Sequence, residues 1–179
     1  GKGAKLNFYM SNAKRKTPAY DLEEAQYLAQ LKENLAKAES GLEKMGFSEE
    51  FAALERVRLR YDYLGTLPGY PVYHSMMTGD DDTLSDAYYN ELYSLLDGNA
   101  EWLKLREYPL ALMTAVNRIA LKGIDRVDTS AFVVSQLQII DKNIKDRAVA
   151  SKVAASLIVR YMNDRGIDDI QDYQSLLTS

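Results

Sequence analysis

The chain has 179 residues, enough for one domain with a sizeable apolar core. Its formal charge of -4 and pI near 5.1 leave no basic stripe to neutralise nucleic-acid phosphates. Cysteine is absent, which removes disulfides, thiolate metal sites and cysteine nucleophiles from its chemistry.

The opening Gly1-Lys2-Gly3 has no initiator Met, and the chain reads as a segment of a longer protein. No run approaches the ~20 apolar residues of a membrane span. Residues 1–16 are polar apart from Leu6-Asn7-Phe8-Tyr9-Met10, a patch that suits either a strand end or a first helical turn. They are expected to be a linker or the edge of a preceding domain, with 17–179 forming one helical domain. Lys14-Arg15-Lys16 reads as a solvated lead-in to that domain. Thr17-Pro18 carries a helix-start signal, since Thr caps orphan N–H groups and Pro at the first position loses none. Leu28, Leu31, Leu35, Ala38, Leu42 and Met45 then alternate spacings of three and four, which is one apolar stripe, and Gly46 ends it.

Ser48 is the expected cap of a second helix, with Glu49 and Glu50 at its positive end and Phe51, Leu54, Arg58, Tyr61 and Leu64 on one face. Gly65, Pro68, Gly69 and Pro71 interrupt the pattern, so residues 65–83 are expected to be the longest irregular connection. Ser85 begins a third helix with Tyr88, Tyr89, Leu92, Leu95 and Leu96. Asp97-Gly98-Asn99 marks a turn, followed by a short helical piece from Trp102 to Leu105. Pro109 sits in the first turn of a fourth helix that Gly123 stops. Asp128-Thr129-Ser130 caps a fifth, Asp146 leads into a sixth, and Asp168 to Leu177 suggests a last one. The expected class is all-α, an irregular antiparallel bundle of about six to seven helices with no dependable repeat.

Candidate chemistry is sparse. His74 is the single histidine, and a triad would need it beside an activated nucleophile and an orienting acid. Ser75 adjoins it, but chain neighbours do not face each other, so a structural His is the simpler reading. His74-Ser75-Met76-Met77 has a soft-metal flavour without a ligand set. Asp80-Asp81-Asp82 lacks the alternating spacing of a calcium loop and reads as a solvated acidic turn. Asp168 and Asp169 read as helix-capping acids. No phosphate loop, zincin motif or nucleophile elbow is present. The expectation is therefore no catalytic residue, no metal and no cofactor.

Thirteen tyrosines stand out, with Tyr63, Tyr70, Tyr73, Tyr88, Tyr89 and Tyr93 concentrated around the expected loop. Tyrosine suits both cores and interfaces, because an apolar ring carries a polar tip. Tyr70, Tyr73, His74, Met76 and Met77 form the candidate interface. Within it Tyr70 and Tyr73 are expected to pack inward, and His74 to Met77 to be exposed.

Several blocks share a family pattern. Gly3-Ala4-Lys5-Leu6-Asn7 with Phe8-Tyr9-Met10 is similar to a "GkgaeLNxYL" segment. Phe51, Leu54-Glu55 and Arg58-Leu59-Arg60-Tyr61 are similar to an "FxxxExxRLxY" helix. Ser85, Tyr88-Tyr89-Asn90 and Leu92 are similar to "sxeYYnfL", and Tyr108 stands where the next helix opens. Over about two thirds of the chain this order resembles the helical segment of TlpA/ResA-like thioredoxin-family proteins of the Gram-negative envelope. The resemblance implies a β domain before the helices and a thioredoxin-like domain after them, with the redox Cys-x-x-Cys in the latter. It implies a non-catalytic helical spacer or recognition domain in the periplasm or anchored to the envelope. Its partners would be the thioredoxin-like domain of the same chain and a protein substrate. The rival expectation is a free-standing helical module that binds a protein or a small ligand.

Overall fold

The computed structural model describes residues 2–12, 18–81, 83–122 and 129–165. All regular structure among them is helical: α1 (Lys2–Asn12), α2 (Glu24–Lys44), α3 (Glu49–Leu64), α4 (Tyr70–Thr78), α5 (Asp86–Ser94), α6 (Glu107–Ala120), α7 (Thr129–Asn143) and α8 (Arg147–Arg165). Short 3-10 turns at Leu67–Gly69 and Ala100–Lys104 precede α4 and α6.

The bundle is organised around α6. Tyr108, Ala111, Leu112, Ala115, Val116, Ile119 and Ala120 are buried on it, and it packs against α3, α5, α7 and α8. Small residues at Ala111, Ala115 and Ala120 let neighbouring helices approach, while Leu112 and Val116 fill the space between them. Along α2, the expected stripe faces inward: Leu31 and Leu42 are buried, and Leu28, Leu35, Ala38 and Met45 pack against the core. Tyr27 joins the same face. Glu55 and Arg58 make α3 an exception to apolar burial, as described below.

Helix starts follow from local chemistry where a side chain can satisfy orphan N–H groups. The Ser48 hydroxyl accepts from Phe51 N at 3.4 Å and the Ser85 hydroxyl accepts from Tyr88 N at 3.2 Å, both as expected. Ser85 is also gripped by Glu24 of α2, whose carboxylate accepts from Ser85 N at 2.9 Å and from its hydroxyl. One carboxylate at the start of α2 thus anchors the start of α5. Asp146 does comparable work at α8, accepting from Ala148 N at 2.9 Å and Val149 N at 3.2 Å, while its other oxygen accepts from Ala100 N at 2.9 Å. Those donors, Ala100 N foremost, hold the Asp146 carboxyl below its ordinary range. Gly98 makes this junction possible, because a Cβ there would lie 2.8 Å from Asp146 N.

Two expectations are corrected. The first concerns the start of α2, which begins at Glu24. Pro18 to Glu23 are not helical, and Thr17 lies outside the described residues. The second concerns residues 65–83, where the 3-10 turn and the nine-residue α4 replace the expected irregular loop. Pro68 and Pro71 each sit in a first turn, where a missing N–H costs nothing, and Gly79 ends α4 at φ +83° with its N–H on Ser75 O. Read along the chain these residues are breakers, but in space they punctuate a short helix. Of the two readings open for the Leu6–Met10 patch, the helical one holds, since it lies within α1. The expected last helix at Asp168 to Leu177, the stop at Gly123 and the cap at Asp128 fall outside the described residues.

Candidate functional site

The tyrosines explain how so many polar rings are buried. Tyr27, Tyr61, Tyr88 and Tyr108 are almost wholly enclosed; the Tyr27 hydroxyl pairs with the Thr66 hydroxyl at 3.0 Å, and the other three meet the polar groups that irregular backbone leaves behind. Tyr88 donates to Leu67 O at 2.6 Å, Tyr61 to Leu95 O at 3.3 Å and Tyr70 to Leu22 O at 2.9 Å. Tyr108 donates to Asp97 O at 2.7 Å and accepts from Asn99 N at 3.0 Å. Each ring fills core volume while its tip satisfies a connecting segment. Burial is the largest cause pushing the phenols of Tyr61, Tyr88 and Tyr108 above their ordinary range.

α4 is fixed by a column of rings. Tyr27 stacks on Tyr70 at 4.4 Å between centroids, and Tyr70 stacks on His74 at 5.0 Å. His74 is buried, and its Nδ1 lies 2.7 Å from Tyr20 O. A carbonyl only accepts, so Nδ1 carries the proton and, in the neutral ring, Nε2 keeps its lone pair. Nε2 is buried with no hydrogen-bond partner among the described residues. A buried acceptor left in that state costs about 1–3 kcal/mol.

The His74 ring lines a cleft of about 470 Å³ between α4, the start of α2 and the start of α5. Its walls are Tyr70, Leu28, Leu84, Ala25 and Ala87, and its polar rim is Glu23, Glu24, Asp80, Asp81, Thr83 and Ser85. The described lining contains no lysine or arginine. Glu24 is committed to Ser85, and Asp80 N donates to the Thr78 hydroxyl at 3.1 Å. A second cleft, of about 350 Å³, lies beside Tyr20, Tyr73, Asn117 and Arg118. There Arg118 Nε is already donating to Pro68 O at 3.0 Å.

Of the five expected interface residues, Tyr70 is buried and Met76 and Met77 are exposed, as read from sequence. Tyr73 and His74 are reversed: Tyr73 is 49% exposed, whereas His74 is 3% exposed. A helix explains the exchange. Its 100° step brings positions 70 and 74 onto one face, turns 72 and 76 to the opposite one and leaves 73 on the flank between them. Val72, Tyr73 and Met76 therefore form an exposed apolar strip on α4, and Met77 is exposed near the helix end. Asp80 and Asp81 stand at the cleft rim rather than in a cation loop, while Asp82, Asp168 and Asp169 lie outside the described residues. No local signal could place Tyr20 against His74, or Glu23, Glu24 and Ser85 on the same cleft, because they come together only through the packing of separate helices.

The other buried polar cluster lies on α3. Glu55 receives Arg58 Nε at 2.8 Å and Nη2 at 2.7 Å, and Tyr9 of α1 donates to the same carboxylate at 2.8 Å. Asp62 and Glu107 stand 3.9 and 3.8 Å from Arg58 Nη1. Hydrogen bonding by Glu55 holds the guanidinium further above its ordinary range, and burial followed by Glu55 raises the Tyr9 phenol. With Tyr9 edge-on to Phe47 at 5.4 Å and Lys5 donating to Gly46 O at 3.1 Å, the cluster docks α1 onto the start of α3.

Among the described residues, no hydroxyl is hydrogen-bonded to His74 Nε2 and no three His, Asp or Glu groups converge as a metal-ligand set. No helix described is long and apolar enough to cross a membrane. No protein-family model matches the sequence, and neither a curated protein nor a solved structure matches it.

Proposed function

We propose that this chain is the helical spacer and recognition domain of a TlpA/ResA-like thiol–disulfide oxidoreductase of the cell envelope. It supports a separate redox domain in the same protein and contributes a contact surface to it or to its protein substrate. The observation that carries this reading is the outer side of α4, where Val72, Tyr73 and Met76 are exposed together and Met77 is exposed near the helix end. Met and Tyr are over-represented in protein contacts, since one adapts its shape and the other brings a large ring with a polar tip. Tyr70 and His74 underlie that strip, fixing it from beneath. The lack of cysteine supports the division of labour, because thiolate exchange then has to come from a neighbouring domain.

Hydrogen exchange on the isolated chain and on the full parent protein tests the reading. Residues 72–77 should gain protection only in the parent, whose reading frame should carry a Cys-x-x-Cys domain beyond Ser179 and a signal peptide before Gly1. Equal protection in both proteins, or a stop codon directly after Ser179, would overturn it. The second reading, a free-standing binding module, is favoured by the cleft beside His74.

A further inference from the structure

The acidic rim of the His74 cleft has ordinary explanations residue by residue. Glu23 and Glu24 suit the positive end of α2, Glu24 anchors Ser85, and Asp80 and Asp81 follow the end of α4. His74 Nε2 has no such explanation. It belongs to a side chain 3% exposed that lines the cleft, its sister nitrogen is committed to Tyr20 O, and it is itself unpartnered. Buried polar atoms in folded proteins are overwhelmingly satisfied, so an exception calls for a ligand-side partner.

We propose that this cleft binds an organic ammonium group. The Nε2 lone pair of His74 accepts one N–H, and the carboxylates of Glu23, Asp80 and Asp81 supply the counter-charge. The site is then a cation receptor within this chain, and it stands independently of the spacer reading.

The alternatives fail on charge or on geometry. An anion meets four acidic side chains and no lysine or arginine among the described lining residues. The helix ends do not reverse that sign: the starts of α2 and α5 each contribute about half a positive charge and the end of α4 about half a negative one. A metal ion lacks three convergent ligands among the described residues. A neutral N–H or O–H donor satisfies Nε2 but leaves the rim charge unused. An ammonium on an alkyl stem satisfies both, with its methylenes against Leu28, Leu84 and the Tyr70 ring. A cleft of about 470 Å³ falls within the range of small-ligand pockets. Nε2 is shielded from solvent, so the ligand reaches it when a side chain of the cleft lining turns aside. A free alkylamine and a lysine side chain on a peptide share this chemistry.

Because the chain has one histidine, a long-range 1H–15N spectrum of the labelled wild-type protein reads Nε2 directly. Titrations with cadaverine and with acetyl-Gly-Lys-Gly-amide should each move the Nε2 resonance saturably, and the tighter of the two identifies the source. Pentanol and pentanoate should not. Glu23→Gln and Asp81→Asn remove exposed carboxylates without touching the core, so both variants should keep the wild-type melting temperature while weakening the amine by about threefold to tenfold. The proposal is overturned if Nε2 is unmoved up to about 10 mM of either amine, well into the weak-binding range. It is equally overturned if pentanol acts as well as cadaverine or if both carboxylate variants bind unchanged. Zinc alone shifting Nε2 where the amines do not would make this a metal site and refute the ammonium assignment.

Discussion

Replacing Glu55 by Gln tests the buried cluster that joins α1 to α3. The substitution keeps the shape of the side chain but removes its charge and turns one acceptor into a donor. The Glu55 carboxylate accepts from Arg58 twice and from Tyr9 once. A carboxamide oxygen can serve one of those donors well, while its NH2 then faces another. Removing one partner of a buried ion pair costs about 3–5 kcal/mol, because the remaining charge is left uncompensated. The cost here is lower, since the Arg58 side chain is 19% exposed and keeps Asp62 and Glu107 at 3.9 and 3.8 Å. We expect a loss of about 2–3 kcal/mol, read as a lower urea midpoint at unchanged slope. Arg58→Met on the wild type should cost a similar amount. The double variant should cost less than the sum by at least ~1 kcal/mol, because neither charge is then stranded. A Glu55→Gln loss below ~0.5 kcal/mol, or an additive cycle, would show that the network contributes geometry without stability.

The remaining tests are local. Ser48→Ala and Ser85→Ala should each destabilise by about 0.5–2 kcal/mol, with Ser85 the larger because it also binds Glu24 whereas Ser48 makes one long 3.4 Å bond. The reverse order in urea melts would contradict the assigned caps. Gly98→Ala should cost more than ~1 kcal/mol, because the new methyl meets Asp146 N at 2.8 Å, and hydrogen exchange should quicken at Ala148 and Val149; a neutral result would mean that the junction yields freely. Tyr9, Tyr61, Tyr88 and Tyr108 have phenols raised by burial, so their stabilisation is complete below the unfolded value near pH 10 and is lost as pH climbs toward the folded values. Each then withdraws about 1.4 kcal/mol per pH unit, and a urea midpoint unchanged between about pH 9 and 11 would argue against their burial.

Class, and several helix faces and ends, were legible in the sequence. Periodicity places Leu31 and Leu42 inward, and Ser48 and Ser85 cap where their hydroxyls predict, because both signals act within one or two turns of chain. Pro68, Gly69 and Pro71 misled for the same reason. Their local preference forbids a continuing helix but permits a new one to start, and a nine-residue helix such as α4 is too short to sustain itself without packing. Its rings against Tyr27 and Tyr20 supply that packing, and the resulting helical phase decides that His74 is buried and Tyr73 exposed. The cleft, the unpartnered Nε2 and the Glu24–Ser85 bridge between residues 61 positions apart depend on how separate helices meet. The sequence by itself determined the helical class and the inward stripe of α2, because those follow from short-range spacing. Only the tertiary structure decided which polar groups face one another, because that depends on distances the chain closes through its core.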